Sequence, residues 1–95
     1  MVTHIIFVKL IEGSEQAIDR MKQMLLGMKG KIECLKDLTV GVDFGHAEIS
    51  YDLAMIAQFA SKEDLNRYLA HPTHIEVGEY IKTVQAKVAA VDYED

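Results

Sequence analysis

The stretch "THIIFVKL" at residues 3–10 decides the fold. Its apolar run is rich in β-branched and aromatic residues, which is typical of a strand that is buried on both faces. The segment "YDLAMIAQF" at 51–59 has the same character, and "LKDLTVGVDF" at 35–44 and "KVAAVDY" at 87–93 also predict strands. The sequence therefore predicts a sheet of four strands.

Helices are predicted between these strands. Ser14 is a good N-cap, and the apolar residues that follow it recur every three or four positions, which indicates one amphipathic helix. The segment "SKED" at 61–64 is a capping-box signature that opens a second helix. This helix should falter near His71, because a residue before proline disfavours the α region, and Pro72 suits the start of a further helical segment that ends near Gln85. The apolar residues of the first helix are Ile18, Met21, Leu25, Met28 and Ile32.

The element order is β-α-β-β-α-β, which predicts an α+β protein with the ferredoxin-like fold, as a single domain over residues 1–95. Both helical regions then cover one face of a four-stranded antiparallel sheet, and the other face should be polar if water covers it. Here the strands carry apolar residues on both faces. We therefore predict that Phe7, Leu53 and Met55 face a second copy of the sheet, so that the protein is a homodimer.

The composition limits the kinds of partner. The formal net charge is −5 and the ten basic residues are scattered, whereas binding to nucleic acid needs clustered Lys and Arg. RNA-binding RRM domains share this element order, with Phe7 as the stacking aromatic, but the third strand lacks the second RNP motif. The single cysteine, Cys34, excludes an internal disulfide, and no segment resembles a signal peptide or a membrane span. We expect a cytoplasmic protein with neither a nucleic acid nor a membrane as partner.

The segment "YLAHPTH" at 68–74 places a tyrosine and two histidines around the only proline. If a helix starts at Pro72, His74 shares its inward face with Gly78, whose missing side chain leaves room for a ligand or for close packing. The positive end of the helix dipole favours the neutral imidazole that a general base needs. Tyr68 lies on the inward side of the preceding helix, so its buried hydroxyl needs a partner.

The first strand supplies a second group of candidate residues. His4 lies on the same face as Ile6 and Val8, and the first and last strands are antiparallel neighbours in this fold, which brings His4 next to Asp92. A carboxylate orients an imidazole and favours its charged form. We predict that these residues line a pocket, namely His4, Ile6, Val8 and Asp92, together with His71. His71 also suits the cap of the second helical segment. The structural alternative is that all these side chains only tie the helix break to the sheet edge.

A metal site is a further alternative. His71 and His74 with Glu76 or Glu79 provide suitable ligand types, but the proline interrupts the regular helix that would aim two histidines at one ion. No zinc-binding spacing and no cofactor fingerprint occur in the sequence. We therefore predict that the protein holds no metal and uses no cofactor.

Several segments of the chain resemble those of one known family. The likeness extends from "HIIFVKL" through "SYDLAMIAQF" to the closing "VDYED", and its most specific part is the Tyr-x-x-His-Pro-x-His element with the terminal Asp-Tyr. In these features the chain resembles the stress-responsive A/B barrel proteins, or Dabb domains, of the dimeric α/β-barrel superfamily. One departure is "IECLKDL", where the family more often has Pro-Gly before the leucine. The resemblance implies a homodimeric barrel with a pocket between sheet and helices in each subunit.

The resemblance also implies a class of function. Most members have no assigned activity, but the plant polyketide cyclases use the motif's tyrosine and second histidine for acid and base work, and these correspond to Tyr68 and His74. A histidine at the start of the first strand, here His4, lines their pocket. The chain is therefore expected to bind a small apolar or carbonyl-containing molecule and, if it is an enzyme, to perform a cofactor-independent, aldol-type cyclisation. The alternative is a non-catalytic stress-responsive or structural dimer.

Overall fold

A computed structural model describes residues 1–95. The sheet is antiparallel throughout and has the strand order β2-β3-β1-β4, so the predicted ferredoxin-like α+β fold is confirmed. The second predicted helical region consists of two helices, as the position of the proline indicated. The elements are β1 (Val2–Leu10), α1 (Glu15–Leu26), β2 (Asp37–Val42), β3 (Leu53–Phe59), α2 (Lys62–Ala70), α3 (Pro72–Val84) and β4 (Gln85–Glu94).

The first helix is shorter than its apolar spacing predicts. It ends at Leu26 and is capped by Gly27, and Gly30 then adopts a φ of +86°, a conformation that disfavours other residues. Beyond the helix the backbone continues in tight turns, with hydrogen bonds between residues three apart. Met28 and Ile32 are nevertheless buried at 1% and 2% exposure. The apolar spacing therefore identified the buried residues correctly but placed the end of the helix too late.

The junction between α2 and α3 forms as the sequence predicts. The Ser61 hydroxyl caps α2 by accepting a hydrogen bond from the backbone N–H of Asp64, at 3.2 Å. His71 has an extended backbone, with φ −67° and ψ 137°, and Pro72 is the first residue of α3. The chain thus changes direction at one residue, and Tyr68 and His74 lie on either side of that change.

The core lies between the helices and one face of the sheet. β1 and β3 contribute every second residue to it, and α1, α2 and α3 contribute the residues of their inward stripes. None of the three helices is both long and apolar enough to cross a membrane. The apolar residues of this core are Val2, Val8, Leu10, Met21, Leu25, Met28, Ile32, Leu38, Leu53, Met55, Ala57, Phe59, Leu65, Tyr68 and Val77.

The prediction that Leu53 and Met55 share a face with Phe7 is wrong. In the pairing of β1 with β3, Leu53 is opposite Val8, whereas Phe7 is opposite Ala54. Directly paired residues of an antiparallel sheet point to the same side, so Leu53 and Met55 face the helices, where they are 2% and 1% exposed. Both alternating sets of β3 are apolar, and this pattern does not show which set faces the helices.

Candidate functional site

A cavity of about 150 Å³ lies between the sheet and the helices. Eight of its ten lining residues are hydrophobic, so the polar groups of the cavity lie in an apolar environment. Four of the residues predicted from the sequence meet here, namely His4, Ile6, Tyr68 and His74. The complete lining is His4, Ile6, Leu25, Met28, Met55, Tyr68, Leu69, His74, Val77 and Ile81.

Tyr68 lies at the centre of the site and has no exposed surface. Its ring centroid is 4.6 Å from that of His74, 4.9 Å from that of Phe59 and 5.9 Å from that of His4. The hydroxyl has as hydrogen-bond partners only the sulfur atoms of Met28, at 3.8 Å, and Met55, at 4.0 Å, and a thioether is a weak acceptor. Burial raises the pKa of the Tyr68 phenol far above its usual value. The phenol is therefore neutral, and its proton is available to a stronger acceptor.

The tautomer of His74 follows from one hydrogen bond. Its Nδ1 lies 3.1 Å from the carbonyl oxygen of Leu69. A carbonyl oxygen only accepts hydrogen bonds, so Nδ1 carries the proton. In the neutral ring the lone pair is then on Nε2, which has no hydrogen-bond partner in the protein and is not sealed from solvent. His74 therefore presents a free basic nitrogen.

The helix break makes the Leu69 carbonyl available. In a continuous helix this oxygen would accept from the backbone N–H of Thr73, four residues later. Here that N–H donates instead to Nδ1 of His71, at 3.1 Å, because His71 caps α3 with its side chain. The freed carbonyl of Leu69 then accepts the Nδ1 proton of His74. By capping α3, His71 therefore fixes the orientation of the His74 ring indirectly.

Burial also keeps the His74 ring neutral. Desolvation is the main cause that lowers the pKa of His74 below its ordinary value, and the charge of His4, when protonated, lowers it further. The hydrogen bond to the Leu69 carbonyl opposes this shift. Because the net direction is downward, the ring is neutral at pH 7, as the helix dipole alone would also favour.

His4 reaches the cavity from β1. It pairs with Asp92 of β4, as the sequence predicted, and its Nδ1 is hydrogen-bonded to the Asp92 carboxylate. His4 is 6% exposed, whereas about half of the Asp92 side chain is exposed. The carboxylate holds a proton on Nδ1 of His4 and fixes the orientation of the ring.

A model of the family described as the stress-responsive A/B barrel domain matches residues 2–95. The chain belongs to this family. A family member from Mesorhizobium loti has a similar ferredoxin-like structure, with a TM-score of 0.77 at 20% identity over 99% of this chain and 95% of that one. No curated protein matches the sequence of this A/B barrel chain.

Other solved structures share the whole fold. A dimeric protein of unknown function from Bacteroides fragilis has a TM-score of 0.85 at 25% identity, covering 99% of this chain and 95% of that one. An Arabidopsis thaliana protein has a TM-score of 0.87 at 26% identity over 100% and 95% of the two chains. A hydroxynitrile lyase from Passiflora edulis has a TM-score of 0.84 at 20% identity over 97% and 90%. The structural relatives of this A/B barrel chain thus include dimeric proteins.

The other predicted site residues of the A/B barrel chain lie outside the cavity. Val8 has no exposed surface and packs in the core, and His71 faces a separate cleft. Gly78 has open space where a side chain would begin, but it is not among the lining residues. Asp92 contacts the site only through His4. No group of three His, Cys, Asp or Glu side chains is arranged to hold a metal ion.

Sequence reasoning missed three partners at this site. The sequence places Met28 in the core stripe of the first helix and Met55, wrongly, on the open face of the sheet, because a flexible methionine gives no sequence signal of where its sulfur lies. The carbonyl of Leu69 could have been found, because a proline three residues later frees carbonyls in the preceding turn.

Stability should fall in mild acid because of His74. An unfolded imidazole has a pKa of about 6.5, and the folded pKa is lower, so between these values the unfolded chain binds more protons. The stabilisation is therefore complete above about pH 6.5 and is lost as the pH falls through the folded value. In urea unfolding at fixed protein concentration, His74→Gln should flatten the decline of the unfolding free energy below about pH 6.5.

The matched control for this experiment is His46→Gln, because His46 is exposed in the β2–β3 loop. This variant should not flatten the decline, because the His46 side chain is exposed rather than desolvated. Equal slopes for the parent and both variants would show that His74 is not desolvated.

Proposed function

We propose that this protein binds a small, partly apolar carbonyl compound in the cavity and that His74 and Tyr68 act on it as base and acid. The observation that supports this proposal is the pairing of a free imidazole lone pair with a buried, neutral phenol that has only thioether partners. Both groups line one apolar cavity. Such a surrounding strengthens electrostatic interactions with a ligand.

The arrangement is suited to proton removal next to a carbonyl. Nε2 of His74 takes the proton from the acidic carbon, and Tyr68 donates a hydrogen bond to the oxygen that gains charge. The resulting enolate attacks a second carbonyl carbon of the same molecule, and the new alkoxide recovers the proton from His74. This is an aldol-type cyclisation that needs no cofactor. His4, held by Asp92, lies edge-on to the Tyr68 ring with the ring centroids 5.9 Å apart, so it is placed to orient the bound molecule.

The size of the cavity restricts the ligand. A volume of about 150 Å³ is similar to that of engineered cavities that bind benzene. The ligand portion that enters is therefore one ring or a short branched chain. Leu69 lines the cavity and is 39% exposed, so it lies at the mouth, where a larger ligand would displace it.

The second candidate function is a non-catalytic, stress-responsive or structural dimer. The complete burial of Tyr68 favours it, because a phenol with no exposed surface meets a ligand only after a side chain moves. One protein of this fold is named a hydroxynitrile lyase, so the fold is compatible with an enzyme. Ligand binding separates the two candidates.

We also propose that two copies associate through their open sheet faces, as a dimeric α/β barrel. The face away from the helices carries four large apolar side chains that are 38–55% exposed, and a continuous apolar patch on a small protein marks an interaction site. The β2–β3 loop extends this surface with Phe44, 91% exposed, and Ile49, 86% exposed. Structural relatives are dimeric. The four side chains of the face are Phe7, Ile56, Val91 and Tyr93.

The ligand prediction compares two site variants with two matched controls. Tyr68→Phe should weaken binding of a small aromatic ketone or 1,3-diketone by about tenfold, because one hydrogen bond in an apolar cavity is lost. His74→Gln should reduce any turnover by at least about 100-fold, because the base is removed. Binding is measured by NMR shifts and turnover by product formation, with Tyr80→Phe and His46→Gln as controls.

The controls should behave as the parent protein does in both assays. If no compound of this class raises the melting temperature of the parent, or if the site variants bind it with unchanged affinity, the cavity is structural and the second candidate holds. Unfolding of both site variants would lead to the same conclusion.

The dimer prediction rests on the position of Ile56 in the open face. Ile56→Glu should convert the dimer to a 10.7 kDa monomer, because a charge would be buried without a partner. Ile75→Glu is the matched control, because Ile75 is similarly exposed but lies on α3, away from the sheet. Sedimentation at micromolar concentration measures the mass of the parent protein and of both variants. A monomeric parent protein, or equal effects of the two variants, would contradict this interface.

A further inference from the structure

We propose that a second cleft of this protein binds a phosphate-type oxyanion. The cleft has a volume of about 610 Å³ and lies between the α1–β2 connection and α2. It shares no lining residue with the apolar cavity. Its charged and imidazole side chains are Lys31, Glu33, Lys36, Asp64, Arg67 and His71.

Two of the cations are free to bind a ligand. Lys31 and Lys36 are exposed, and neither makes a salt bridge or a side-chain hydrogen bond within the protein. The chain as a whole carries a net charge of −5. Two unpaired lysines on one wall of a cleft therefore stand out from an acidic surface, and such a concentration of cations attracts anions.

Arg67 on the opposite wall is held in position. Its Nη1 donates to the Asp64 carboxylate at 2.6 Å, one helical turn away. The backbone of Asp64 is itself fixed, because its N–H donates to the Ser61 cap. The remaining guanidinium N–H groups have no partner in the protein, and a guanidinium oriented in this way suits an oxyanion.

His71 adds a directed donor. Because its Nδ1 accepts the backbone N–H of Thr73, the ring proton of the neutral form is on Nε2. This N–H has no protein partner, and the residue lines the cleft beside Arg67. The cleft thus offers ammonium, guanidinium and imidazole donors from three segments of chain.

These donors fit a tetrahedral oxyanion better than a carboxylate. A phosphate has more acceptor oxygens and more charge at neutral pH than a carboxylate, so it makes use of donors on both walls. Glu33 is the one carboxylate of the cleft without a cationic partner, and it opposes binding by repulsion. The lysines should therefore favour binding of the anion, and Glu33 should weaken it.

The test is an NMR titration of the full chain with inorganic phosphate, at neutral pH and constant ionic strength set with sodium chloride. Saturable shifts are expected at residues 31–36, 67 and 71. Lys31→Gln with Lys36→Gln should raise the dissociation constant by about fivefold or more, and Glu33→Gln should lower it by about twofold. The matched controls are Lys22→Gln with Lys82→Gln, and Glu79→Gln, which change the same charge outside the cleft.

Three results would overturn the proposal. These are the absence of saturable shifts, equal changes for the cleft and control variants, and acetate binding as tightly as phosphate. All these positions are exposed except the half-buried control residue Lys22, so the variants should fold as the parent protein does. A circular dichroism melt of each variant verifies this.

Discussion

The interruption of the helix at Pro72 is the constraint on which the site depends. Proline provides no N–H and disfavours the α region in His71, so α2 ends and α3 begins at one residue. The cap that His71 provides uses the N–H of Thr73, and this frees the Leu69 carbonyl for His74. A continuous helix would satisfy that carbonyl itself, and the imidazole would lose the bond that fixes its tautomer.

The second constraint is the alternation of residues along the strands. One set of β1 residues, with His4, faces the helices, and the other set, with Phe7, faces away. Because both sets are apolar, one sheet builds a closed core and still leaves an apolar face for a partner. The cavity lies on the helix side, so dimerisation through the open face would leave its lining unchanged while excluding water behind the sheet.

Much of the fold and part of the site could be predicted from the sequence. Topology alone makes β1 and β4 antiparallel neighbours, and this placed His4 beside Asp92 correctly. The faces of Leu53 and Met55 could not be predicted, because an apolar residue at every position of a strand leaves the alternation ambiguous. The end of α1 depends on the backbone conformations of two glycines, and the volume of the cavity depends on side-chain packing. The spacing of apolar residues along the sequence encodes neither.

The tautomer of His74 tests the central claim most directly. A long-range nitrogen–proton NMR correlation of the imidazole rings at neutral pH identifies which nitrogen carries the proton. The account predicts a neutral His74 ring with the proton on Nδ1 and a lone pair on Nε2. A ring protonated on Nε2, or on both nitrogens, would contradict it, because His74 would then have no free lone pair to act as a base.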